Sequence, residues 1–155
     1  MNALMTAMIL WLSANFGLPA TADIPKIEFV RPVEISVIHY RAFTTEQRRA
    51  VVAAYQSEMA SNKRRVVEAV YDDAKKTIYL PEGWTGATAT ELSVLVHEMV
   101  HHLQNLAGTK YACPQERERL AYAAQQAWLG LFGRNLKDEF EIDAMTLLLS
   151  TRCGF

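Results

Sequence analysis

Three residues within one five-residue span have the types and spacing for metal chemistry: His97, Glu98 and His101. Residues four apart on a helix sit one turn apart on the same side, so two imidazoles at this spacing can share one metal ion. Glu98 is rotated by about 100° from the first of them, beside the ion rather than on it. Two nitrogens that hold Zn²⁺ and an adjacent carboxylate that takes a proton from a bound water form a chemically complete pair of tasks. Histidine is scarce in this chain, and three of its four copies lie between positions 97 and 102. The spacing therefore calls for one Zn²⁺ ion.

A zinc site that does chemistry keeps three protein ligands and one open position, so a third ligand is required. A third histidine six residues after the second is absent, because position 107 is alanine, and Gln104 stands where that pattern has glycine. A glutamate from a following helix is the other source. Glu118 lies inside the next expected helix and is reachable if a short loop folds the two helices into a hairpin. Glu116 competes, but it sits in the first turn, where acidic residues are common simply because they offset the helix dipole. Glu118 is preferred because Ala121, Tyr122 and Gln125 continue its face with small or polar side chains suited to a close helix crossing. His102 points about 100° away from His101, which assigns it to a place behind the ligands or at the surface.

The elements that must position these residues are legible in part. Thr88 and Glu91 have the spacing of a capping box, and Leu92, Leu95, Val96, Met99, Val100, Leu103 and Leu106 recur at three and four, so an amphipathic helix over 88–107 is expected. It ends at Gly108. Cys113-Pro114 opens the next helix, which runs to about Phe132, with proline at a first-turn position that it tolerates. A last helix is expected from about Asp138 to Thr151, apolar on most sides and so buried. Upstream, Ile27 and Phe29, then Val33, Ile35 and Val37, alternate with polar residues on either side of Arg31-Pro32, which reads as one or two strands. Thr44 and Gln47 begin a helix that extends to about Ser61. The runs 66–71 and 77–80, joined by Asp72-Asp73-Ala74-Lys75-Lys76, form a hairpin. If its second strand lay at the sheet edge beside the cleft, it could pair with an extended peptide.

These elements amount to a small α+β domain, with a short antiparallel sheet and about four helices around one core, the His97 helix central. The chain has 155 residues, the size of one such domain. Its 16 basic and 17 acidic residues nearly cancel, which gives no electrostatic footprint for nucleic acid.

Residues 1–22 carry an apolar run from about Leu4 to Leu18, followed by Pro19 and Ala20-Thr21-Ala22. Small residues three apart after such a run are what signal peptidase reads, so cleavage near Ala22 is expected, with export and a mature domain of 23–155. The run is shorter than the ~20 residues that span a bilayer, so no stable membrane span should remain. Retention of the leader as an anchor is the rival. Export suits the two cysteines, Cys113 and Cys153, whose pairing would close a loop worth about 4 kcal/mol in the chain-entropy model.

His97-Glu98-Met99-Val100-His101 followed by Glu118-Arg119-Leu120-Ala121-Tyr122 resembles the gluzincin branch of the zincin metallopeptidases, and is similar to short exported HExxHxxQ proteins of unassigned function. The resemblance spans Thr77 to Trp128. It implies a zincin-like domain in which His97, His101 and Glu118 hold one Zn²⁺, Glu98 is general base and then proton donor to the leaving amine, and the substrate is a peptide or protein. Tyr122, Tyr111 and His39 are candidates for the donor to the oxyanion. Many gluzincins have aspartate four residues after the glutamate, bonded to a zinc histidine; here Tyr122 stands there, so Asp143 or a backbone carbonyl would have to orient the imidazole. The rival from a different class is a zinc-stabilised binding or inhibitory module of the envelope without turnover. Glu98 argues against it, since a purely structural site has no use for that carboxylate.

Overall fold

A computed structural model describes residues 1–41, 44–60 and 68–154 of the chain. In chain order the elements are α1 (Asn2–Phe16), β1 (Lys26–Val30), α2 (Pro32–His39), α3 (Thr45–Ala60), β2 (Val70–Asp72), β3 (Thr77–Pro81), α4 (Ala89–Ala107), α5 (Pro114–Gly130), α6 (Leu136–Phe140) and α7 (Ala144–Ser150). The domain is α+β, as its sequence pattern suggests. Val66 and Val67 of the expected hairpin, and Ser61 at the end of the expected second helix, lie outside the described residues.

The hairpin forms where the Asp72 carboxylate can accept from the backbone N–H groups of Ala74 and Lys75, a local turn that releases the chain into β3 after Lys76. β3 is buried from Thr77 to Leu80 and lies in the middle of the sheet, with order β1-β3-β2. It pairs antiparallel with β2 through Val70↔Tyr79 to Asp72↔Thr77, and parallel with β1 through Lys26↔Thr77 to Val30↔Pro81. The sheet is therefore mixed rather than antiparallel. A parallel pair needs a crossover, and α2 and α3 provide it. β2, not β3, is the edge strand on the cleft side.

The second half of the alternating run is helix α2, not a strand. Pro32 occupies its first turn, and the Glu34 carboxylate accepts from the Arg31 backbone N–H, a capping arrangement that starts a helix where alternation alone suggested a strand. Burial is confined to Ile35 and Ser36 in α2, so no second apolar strand face was needed.

α4 runs through the core. Thr88 caps it with a bond from the Glu91 N–H, Glu91 bonds back, and Gly108 closes it in the left-handed conformation at φ 63°. Every residue from Ser93 to Gln104 is buried, with Leu95, Val96, Met99, Val100 and Leu103 fully so. α5 lies along α4, with Ala121 and Ala124 fully buried at the crossing. The small residues let the two backbones approach.

α1 also packs on α4, and Met5, Met8, Ile9 and Leu12 join the core at 0–2% exposure. Its Trp11 meets Trp128 of α5 edge-on, with ring centroids 5.4 Å apart. No helix among the described residues is long and apolar enough to cross a membrane. Cys113, the N-cap of α5, is bridged to Cys153, with Cα atoms 5.7 Å apart. The single last helix expected from the sequence is two short ones, parted at Glu141, which has φ 57°. No residue of α7 is buried; Met145, Leu148 and Leu149 face solvent.

Candidate metal centre

One helical turn separates His97 from His101 on α4, and their rings lie 5.0 Å apart. Glu118, in the second turn of α5, reaches between them. Its Oε2 is 3.0 Å from His97 Nε2 and its Oε1 is 3.3 Å from His101 Nε2. Ligand-type atoms from these three side chains all fall within 4.8 Å of one another. Two ligand atoms about 2.1 Å from a tetrahedral zinc stand about 3.4 Å apart, so the observed nitrogen-to-oxygen separations fit the group. The chemistry of the set, two imidazoles and one carboxylate, fits as well.

Each imidazole is held from behind by an amide. His97 Nδ1 is 3.0 Å from Gln125 Oε1, and His101 Nδ1 is 3.0 Å from Gln104 Oε1. Gln104 Nε2 donates to the Arg117 carbonyl, and Gln125 Nε2 donates to Ser93 Oγ. Arg117 grips Asp73 in the β2–β3 turn with two bonds of 2.8 and 2.9 Å, which ties the start of α5 to the hairpin.

Electrostatics separate the two glutamates. Burial pushes the Glu98 carboxyl up to about 7; the His97 charge and the Tyr71 backbone N–H pull it down, while the Glu118 charge pushes it further up. Burial acts the same way on Glu118, but hydrogen bonds from His101 and His97 overwhelm it and hold that carboxyl far below the usual range. The two carboxyls are thus pushed in opposite directions, Glu118 toward its ionised form by the imidazoles it faces and Glu98 toward its protonated form by burial. Tyr122 lies edge-on to His97 at 4.7 Å, its hydroxyl pushed up to about 12 by burial and by the charges of Glu118 and Glu98. It stays a neutral donor.

These residues open into a cleft of about 540 Å³, closed on other sides by Ile38, His39, Val70, Phe140 and Ile142. Burial lowers the His39 pKa, so its ring is held toward the neutral form.

The remaining residues singled out in the sequence lie elsewhere. Glu116 accepts from the Ala112 N–H at 2.7 Å, a capping contact outside the cluster. His102 is neither behind the ligands nor at the surface. It is fully buried, its Nδ1 3.0 Å from the Tyr71 hydroxyl and its Nε2 2.7 Å from the Asp23 carbonyl, and it pins the N-terminal segment to α4. Asp143 caps α7 by accepting from the Thr146 N–H and does not orient either imidazole. Tyr111 lines a separate, smaller cavity. The orienting groups are Gln104 and Gln125. Their positions carried the signal: Gln104 is one turn past His101, and Gln125 is two turns past Glu118 on the same face.

The fold and site together describe an α+β domain with two histidines and one carboxylate converging at a cleft that also holds a second, buried carboxylate. The whole chain, residues 1–155, matches the family described as Domain of unknown function (DUF6647), and the chain belongs to that family. No curated protein and no solved structure matches it.

Proposed function

We propose that this protein is a zinc-dependent hydrolase acting on peptide bonds. The observation that carries the reading is the convergence of His97, His101 and Glu118 next to Glu98 in one cleft. In this reading His97, His101 and Glu118 hold a single Zn²⁺, which supplies Lewis acidity to a water and to the scissile carbonyl. Glu98 accepts the proton as the water oxygen adds to the carbonyl carbon, then returns it to the amine as the C–N bond breaks. A carboxyl near 7 suits both halves of that exchange. Tyr122, beside His97 and neutral, is the donor best placed for the oxyanion. The outer edge of the sheet at β2, where Val70 and the preceding Ala69 line the cleft, suits an extended peptide added as a further strand.

Export to the periplasm or exterior, with processing near Ala22, is part of the same proposal. A disulfide between Cys113 and Cys153 supports it.

The test uses the purified protein, its zinc content measured by elemental analysis, and a mixed peptide library presented to it and to Glu98→Gln. One equivalent of zinc in both, with cleavage only by the unaltered protein, is expected. Full zinc with no cleavage of any peptide would favour a zinc-stabilised binding module. Absence of zinc after purification without chelators would overturn both.

A further inference from the structure

We propose that Gln104 and Gln125 are positioning residues that hold His101 and His97 with a proton on Nδ1, leaving Nε2, which faces Glu118, as the nitrogen that would bind the metal. The inference rests on the metal-site reading for its purpose, but its content is a statement about protons on this chain.

Hydrogen-bond polarity fixes these protons. An amide side chain can be turned either way, and the partners decide which end is which. Gln104 sits between His101 Nδ1 and the carbonyl of Arg117. A backbone carbonyl can only accept, so the NH₂ group must face Arg117 and the oxygen must face the ring. Facing an acceptor, His101 Nδ1 must carry the proton. A metal can then be taken only at Nε2.

The second chain is one link longer. Ser93 Oγ donates to the Thr90 carbonyl at 2.7 Å, which commits its proton and leaves its lone pairs for Gln125 Nε2 at 3.3 Å. The Gln125 oxygen therefore faces His97, and His97 Nδ1 is the donor. Ser93 is fully buried, Gln104 2% exposed and Gln125 4% exposed, so water does not compete for these positions. Two independent relays, one ending on α5 backbone and one on α4 backbone, present both rings the same way. Both rings thus turn Nε2 toward the Glu118 carboxylate, at 3.0 and 3.3 Å, so that the nitrogen facing Glu118 is the one free to exchange a proton for a metal ion. A neutral amide does here what the absent aspartate would do from position 122.

The test takes the full chain labelled with ¹⁵N at histidine and assigns the imidazole nitrogens by long-range proton–nitrogen correlation, first metal-free and then with one equivalent of Zn²⁺. Protonated Nδ1 at both His97 and His101 in the metal-free chain is expected, with no change of that site on adding zinc. A bare Nδ1 at either ring overturns the proposal. Zinc affinity, measured by competition with a chelator, adds a second readout. Gln125→Leu, close in volume, should bind zinc about 10- to 100-fold more weakly, while Gln125→Glu, which keeps an acceptor, should bind at least as tightly as the unaltered chain. Equal affinity for Gln125→Leu and the unaltered chain, with circular dichroism showing both folded, would also overturn it. If the unaltered chain takes up no zinc, the hydrolase reading fails, and the metal-free nitrogen signals still decide the tautomers.

Discussion

At 7% exposure and with Glu118 nearby, the Glu98 carboxyl is held to about 7, whereas Glu118 is held ionised by the two imidazoles it faces. On the proposed reading, the two carboxylates divide the work between proton exchange and ion binding. Glu98→Gln removes the first function and leaves the second: hydrolysis should fall about 10²- to 10⁴-fold, the range of a general base, with zinc content unchanged. Parallel kinetics and elemental analysis check it, and a variant that loses zinc would place Glu98 among the ligands. Glu118→Ala should weaken zinc binding beyond the about 100-fold that loss of an orienting group can cost, while Glu116→Ala should leave it unchanged in chelator competition. His97, Glu98 and His101 are legible in the sequence through helix periodicity, and Glu118 through the hairpin that a short loop allows and the face that Ala121, Tyr122 and Gln125 continue. Gln104 and Gln125 were visible only as polar positions on the right faces. Their role depends on the amide ends being pinned by Arg117 and Ser93, contacts between helices that no periodicity encodes.

The elements divide in the same way. Helices α4 and α5 announce themselves through Thr88, Glu91, Gly108 and Pro114, local signals that fold locally. The parallel pairing of β1 with β3 does not, because it is settled by where α2 and α3 return the chain. Pro32 shows the limit: it serves equally as a strand break and as a helix start, and the Glu34 contact to Arg31 decides. α7 shows another, since apolar composition suggested burial and the break at Glu141 turns Met145, Leu148 and Leu149 outward. The β2–β3 turn depends on Asp72. Burial alone would raise its pKa, but the Lys75 N–H, the Arg41 guanidinium and the Ala74 N–H together lower it below 3.8. A depressed folded pKa means that the charged form stabilises the fold. That contribution is fully present above the unfolded value and is lost as pH falls through the lower folded one. Below about pH 4, then, the unaltered protein should lose stability more steeply than Asp72→Asn in denaturant titrations. Identical slopes would remove the turn from the account.

For the whole molecule, the core is continuous from α1 through α4 to α5, and the disulfide ties the C-terminal end of the chain to the helix that carries Glu118. Reducing the Cys113–Cys153 bridge should cost about 2–5 kcal/mol, seen as a lower unfolding midpoint with dithiothreitol. A chain beginning at Asp23, as cleavage after Ala22 leaves it, uncovers the face where Met8, Ile9 and Leu12 are buried, each such side chain worth about 1.5–3 kcal/mol. It should unfold at lower denaturant than the chain of residues 1–155 and bind an apolar dye more strongly. Equal midpoints would mean that α1 adds little to the core. The metal centre itself is open to zinc-edge X-ray absorption on the zinc-loaded protein. One zinc per chain is expected, with two imidazole nitrogens and oxygen ligands at about 2.0–2.2 Å and the oxygen contribution diminished in Glu118→Ala. Sulfur ligands, a single imidazole, or no zinc retained at all would contradict it.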